Sequence, residues 1–171
     1  MATGNAYFGL CRDTYVFRLE GEIRYTMVAG LDDFLDELLG RGDFTAIVID
    51  ARALALVDST ALGLLARIGN FMLKQRGRRA VIICNPGDLE TSLMAVGFDE
   101  VFELTHEPLE ELTCPLCEVP RSEPDERGVA RVVLEAHREL IDASDRNRET
   151  FGRVVDALEQ ELRDAAGDGR Q

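Results

Sequence analysis

Thr45-Ala-Ile-Val-Ile-Asp-Ala-Arg-Ala-Leu-Ala-Leu-Val-Asp-Ser-Thr-Ala-Leu-Gly-Leu-Leu-Ala-Arg-Ile68 contains a change of hydrophobic period around which the rest of the chain can be arranged. Residues 46–49 form a short apolar run rich in β-branched side chains, which predicts a buried strand closed by Asp50. From Ala61 the period becomes helical: Ala61, Leu64, Leu65, Ile68, Phe71 and Met72 fall along one face. Asp58 and Ser59 stand where that helix begins, and both are strong N-cap residue types. Ser59 thus places a hydroxyl at a helix N-terminus, where unpaired N–H groups and the dipole favour an anion such as phosphate. A plain helix cap is the alternative reading.

Working outward, residues 7–11 and 14–19 read as two strands joined tightly at Arg12-Asp13, with Gly21-Glu22-Ile23-Arg24 leading out of the second. Val28, Leu31, Phe34, Leu35 and Leu38 mark an amphipathic helix ending near Gly40, a glycine suited to a left-handed cap. Asp32, Asp33, Asp36 and Glu37 lie mostly on its solvent side. The Ser59 helix stops at Gly77, and its end gathers Lys74, Arg76, Arg78 and Arg79, which complement the dipole. Residues 80–84 form the next strand. Asn85-Pro86 predicts an N-cap followed by a first-turn proline, opening a helix with Leu89, Leu93 and Met94. Gly97 caps that helix, and residues 101–104 supply the last strand. Strands alternating with helices imply an α/β fold with a mostly parallel sheet, made mixed by the opening hairpin.

The segment Asp58-Ser59-Thr60-Ala61-Leu62-Gly63, about eight residues after Asp50, resembles the signature of the STAS domain. Gly77, the strand at 80–84, Asn85-Pro86 and Gly97-Phe98-Asp99-Glu100-Val101-Phe102 continue the resemblance in order, over roughly residues 6–105. STAS domains include bacterial anti-sigma factor antagonists and the cytosolic tails of sulphate transporters. In the antagonists, the serine after the motif's aspartate is phosphorylated by the anti-sigma factor, itself a kinase, and a metal-dependent phosphatase restores binding. The resemblance therefore implies a non-enzymatic regulator with Ser59 as phosphoacceptor, Thr60 as the rival hydroxyl and Asp58 as a neighbour. The partner-binding face would comprise Asp50, Asp58, Ser59, Thr60 and Leu62. Antagonists carry a Gly-Glu-Leu-Asp-like turn where this chain has Gly21-Glu22-Ile23-Arg24, a cation in place of an anion.

The 171 residues leave room for an appendage beyond one domain, and the division read here is 1–106, an acidic proline-containing linker at 107–127, and a helical tail at 128–165. The linker holds four of the five prolines. In the tail, Val133, Ala136, Leu140, Ala143, Asn147, Thr150, Val154 and Ala157 follow alternating three- and four-residue steps, like a coiled-coil seam. Leu134, Ile141, Phe151, Val155, Leu158 and Leu162 widen the stripe, so it must bury against its own domain, a second copy (a homodimer through 128–165) or a partner. Gly152 is where this helix is expected to bend or split, and the chain from Ala165 is expected to fray.

The net charge is −13, with 19 basic and 32 acidic residues, and the surplus is heavier after residue 106. Such a surface repels nucleic-acid phosphates and anionic membranes, whereas the acidic tail suits a basic protein surface. No apolar run spans a membrane, and the first residues lack signal-peptide character, which predicts the cytoplasm.

Cys114-Pro115-Leu116-Cys117 reads as reduced thiols in a loop, or more remotely a metal knuckle completed by His106, His137, Cys11, Cys84 or a second chain. Four cysteines in this length do not suggest a disulfide framework. No P-loop, Gly-x-Gly-x-x-Gly or Gly-x-Ser-x-Gly occurs, so no cofactor is expected. His106 and His137, the available bases, lie outside the expected domain of Ser59, which sets nucleophilic catalysis aside.

Overall fold

The computed structural model describes residues 4–109 and 113–169. The first three residues and part of the expected linker, 110–112, lie outside that range, as do 170–171 of the expected frayed end. Strands β1 (Asn5–Cys11) and β2 (Thr14–Ile23) form the expected hairpin, turning through Arg12 at a φ of 59°. Helix α1 (Val28–Leu39), strand β3 (Ala46–Val57) and helix α2 (Ser59–Phe71) follow, then β4 (Ala80–Ile83), α3 (Asp88–Ala95) and β5 (Phe102–Thr105). The sheet order is β5-β4-β3-β2-β1-β6, where β6 is Cys117–Glu118, with β2 to β5 parallel and β1 antiparallel to both neighbours. The mixed, mostly parallel sheet and its helical cover are those expected.

One face of the sheet meets α1 and α2. Ile47, Ile49 and Ala51 of β3 alternate into this core with Phe17, Leu19 and Ile82, beneath Leu35, Leu38, Leu64, Leu65 and Ile68. Alternation sends Val16, Arg18, Val48 and Asp50 to the other face, where the chain around Leu109 and Thr113–Leu116 lies over Val16, Val48 and part of Asp50 and leaves Arg18 exposed.

Several local expectations change. Asp50 does not close β3, which continues to Val57 because β2 stays paired with it through two register shifts. Gly21, at a φ of 70°, lies at the second shift and takes a backbone conformation open to glycine. Gly40 keeps a right-handed φ of −75° instead of a left-handed cap. Helix α3 starts at Asp88 because Asn85 spends its side-chain amide on the Arg52 carbonyl (3.0 Å), and Gly87 turns the chain at a φ of 142°. Helix α2 runs on through a π-helical turn to Arg76 and ends at left-handed Gly77, φ 65°.

The chain after residue 106 contains more than a linker and one helix. Strand β6 (Cys117–Glu118) adds an edge to β1, and Cys114 is joined to Cys11 by a disulfide. The expectation of reduced thiols is thus corrected: Cys117 is free and exposed, Cys84 free and buried. Oxidised Cys114 has no thiolate to offer a metal, so the Cys114–Cys117 knuckle does not form in this structure.

The helical stripe becomes two helices, α4 (Glu126–Ala143) and α5 (Arg146–Asp168). The break falls at Ser144-Asp145, not at Gly152, which lies inside α5. Asn147 fixes the corner: its buried amide donates to the carbonyls of Val96 (2.8 Å) and Leu140 (2.7 Å). Helix order persists to Asp168, past the expected fraying at Ala165. Leu140, Ala136 and Ala143 join the main core, so the α4 part of the stripe buries against its own chain, while Thr150, Val154 and Ala157 of α5 stay exposed.

Candidate functional site

Helix α2 begins under the control of Asp58. Its extended backbone (φ −85°, ψ 174°) leaves the side chain free to cap, and Oδ1 accepts from Ala61 N–H at 2.9 Å. Oδ2 accepts from Tyr25 N–H at 2.6 Å, while Asp58 N–H donates to the Ile23 carbonyl. Asp58 therefore clamps the β2–α1 connection to the start of α2, and both its oxygens are occupied. Arg24, the unusual cation in that connection, is held by Glu22 at 2.9 Å.

Ser59 follows as the first helical residue, half-buried, with its hydroxyl 3.0 Å from Nε2 of His137 on α4. His137 Nδ1 lies 2.6 Å from the Val133 carbonyl, which can only accept, so Nδ1 carries a proton toward it. With the ring neutral, Nε2 accepts the proton that Ser59 donates. Phe151 of α5 packs its ring edge-on against the same imidazole. Thr60 is buried at 5% exposure and Leu62 at 7%, so of the two rival hydroxyls Ser59 lies nearer the surface.

The structure brings Asp58, Ser59, Thr60 and Leu62 together and leaves Asp50 apart. Asp50 lies on the opposite face of the sheet, lining a cavity of about 120 Å³ with Arg18, Arg52 and Cys114. Hydrogen bonds from Arg52, at 2.9 and 2.8 Å, hold its carboxyl below the usual range against the opposing effect of burial. His137, set aside on sequence grounds as a base outside the domain of Ser59, is a correction: α4 packs into that domain and brings the imidazole to the Ser59 hydroxyl. The signal for His137 was an imidazole within the apolar stripe of the tail, between Leu134 and Leu140, but nothing there names Ser59 as its neighbour.

The STAS domain family model matches residues 11–112, more than half of the chain. The chain belongs to the STAS domain family. The structure of the anti-sigma factor antagonist SpoIIAA in its unphosphorylated form superposes with a TM-score of 0.51 at 20% identity, covering 63% of this chain and 91% of that one. That likeness supports the STAS fold, and α4 and α5 lie beyond the family match. No curated protein matches the chain. Among the described residues of this STAS chain, no helix is long and apolar enough to cross a membrane, and no three His, Cys, Asp or Glu side chains cluster as metal ligands would.

Proposed function

We propose that this STAS chain is a partner-switching regulator of the anti-sigma factor antagonist type, working in the cytoplasm and controlled by phosphorylation of Ser59. The observation that carries the reading is the Ser59 hydroxyl on the first residue of α2, directly after a capping aspartate. Its partner is an anti-sigma factor that is also a serine kinase. Transfer of the γ-phosphoryl group of ATP to Ser59 Oγ releases ADP, with the hydroxyl proton passing to the kinase's base. A metal-dependent phosphatase reverses the modification.

The energetics suit a switch. A phosphate adds about −1.5 to −2 charges, beside the carboxylate of Asp58. The helix dipole returns only about 0.3–1 kcal/mol, enough for the fold to tolerate the group. An unpaired dianion trapped in an interface costs several kcal/mol, so the modified face releases its partner. Incubation with the cognate kinase and ATP, read by peptide mass spectrometry, should place phosphate on Ser59 rather than Thr60. The partner should bind Ser59→Ala and release Ser59→Asp. An unmodified Ser59 peptide, with no partner that distinguishes these variants, would overturn the reading.

Helix α5 favours a second reading, a STAS scaffold that dimerises or recruits another signalling enzyme. Only two of its 23 residues are buried, leaving a long polar surface. A full-length chain that sediments as a dimer and binds its partner identically in Ser59→Ala and Ser59→Asp would favour the scaffold.

A further inference from the structure

Ser59, among the residues proposed to meet a partner, already has one within its own chain. Helix α4 lies along α2 and buries Ala136, Leu140 and Ala143 in the main core, and four contacts mark the polar and close-packed points of the seam. Ser59 meets His137, which is only 4% exposed. At Gly63 the two backbones nearly touch, since a Cβ there would stand 2.1 Å from the Ala136 carbonyl oxygen. Asn70 donates to both the backbone carbonyl (3.0 Å) and the carboxylate (2.7 Å) of Glu139. Lys74 pairs with Asp142 at 3.3 Å.

The α2 residues at these contacts are Ser, Gly, Asn and Lys, with no large apolar side chain among them. Leu64, Leu65, Ile68 and Met72 of the same helical segment belong to the main core. A helix buried permanently on this side would gain most from apolar residues there; small and polar ones suit a surface that is covered and uncovered. The cover is itself lightly held at its outer layer, since α5 buries only Asn147 and Val155.

We propose that the α4–α5 hairpin is an intramolecular occupant of the α2 face, and that this structure is the closed form. An external partner reaches α2 by displacing α4 with an amphipathic helix of its own. That helix carries a small residue opposite Gly63 and a carbonyl or carboxylate acceptor opposite Asn70. In the closed form the Ser59 hydroxyl is engaged by His137, so a kinase meets it only after opening. A phosphoryl group on Ser59 needs the space that the buried imidazole fills beside the hydroxyl, which keeps the hairpin off. The proposal deepens the preceding reading of Ser59 and rests on it for the identity of the face.

Native-state hydrogen exchange on the full chain tests it without any kinase. Amides of α4 should exchange through a partial opening, at least roughly tenfold faster than those of β3. Ser59→Asp, which sets a larger charged side chain against the buried imidazole, should speed α4 by about another tenfold and leave β3 unchanged. In a second measurement, a labelled peptide of residues 126–144 should bind full-length Leu140→Asp, whose own α4 is dislodged, and not the wild-type chain. Exchange of α4 only together with β3 and insensitive to Ser59→Asp overturns the proposal; so does a folded Leu140→Asp chain that ignores the peptide. Should Leu140→Asp fail to fold, the exchange arms decide. A moving α4 with no kinase acting on Ser59 removes the antagonist reading alone; a phosphorylated Ser59 with an immobile α4 removes the cover alone.

Discussion

Two helical layers cover this protein, and they are attached by different physics. In α2, ten of the 13 residues are buried, and its leucines and Ile68 interleave with β3 and β2. In α5 two of 23 are buried, and α4 meets α2 through a histidine, an asparagine and a glycine contact as much as through Leu140. Apolar burial is non-directional and cooperative, so the first layer stands or falls with the sheet. Directional polar contacts can be exchanged for water or for another protein's groups at little net cost. The molecule thus contains a core that makes it a STAS domain and a cover whose bonds are of the replaceable kind.

The sharpest way to break that comparison is to empty equal volumes in the sheet beneath the first layer and in α4 of the second. Ile49 and Leu140 are each fully buried, and truncation of either to alanine should cost about 2–5 kcal/mol. Ile49→Ala should lower hydrogen-exchange protection throughout the sheet. Leu140→Ala should lower it first in α4 and α5, with β3 lagging. If both variants lose protection everywhere in step, the two layers are one cooperative unit and the distinction fails.

The part of this architecture legible in the sequence is the part dictated by local period. Ala46 to Met72 announces a strand and a helix because the apolar spacing changes from a continuous run to three- and four-residue steps. Asp58 and Ser59 were visible as helix-start residues for the same local reason. What was not legible depends on pairing across distance. Asp50 is eight residues from Asp58, yet strand alternation turns it to the other face of the sheet. His137 is 78 positions from Ser59, and the stripe that carries it shows that α4 must bury itself without saying against what. The Cys11–Cys114 bond spans 103 positions, beyond any spacing rule.

That bond gives the next largest effect. Cys114→Ser frees the chain that covers the second sheet face and should cost about 2–4 kcal/mol relative to the oxidised protein. The wild-type chain under reductant should fall to the same stability, and titration should find two free thiols before reduction and four after. A variant as stable as oxidised wild type would show that the covering loop is held without the disulfide. Gly63→Ala comes below it. The new Cβ would meet backbone at 2.1 Å, and the overpacking cost of about 1–3 kcal/mol exceeds the gain of up to about 1 kcal/mol in helix propensity. The loss should appear in α4 exchange; a stabilised chain with α4 unmoved would mean that the seam has room the present contact denies.

The smallest effect isolates a charge that belongs to neither helical layer. Asp50 is 14% exposed and its partner Arg52 39%, so solvent screens part of their attraction. Asp50→Asn should therefore cost only about 1 kcal/mol at neutral pH. The sign with pH follows from the direction of the shift. Arg52's hydrogen bonds lower the folded carboxyl below its unfolded value, so its contribution is present above that value, in the range of 3.8, and is lost as pH falls through the folded one. Urea titrations of wild type and Asp50→Asn should accordingly differ at pH 7 and converge toward pH 3. Because the pair lies across the sheet from α2, the difference should be the same in a Ser59→Asp background, where α4 is expected to open more readily. A pH-independent difference would mean that Asp50 acts through packing, and one that changes with Ser59→Asp would couple the two faces through β3.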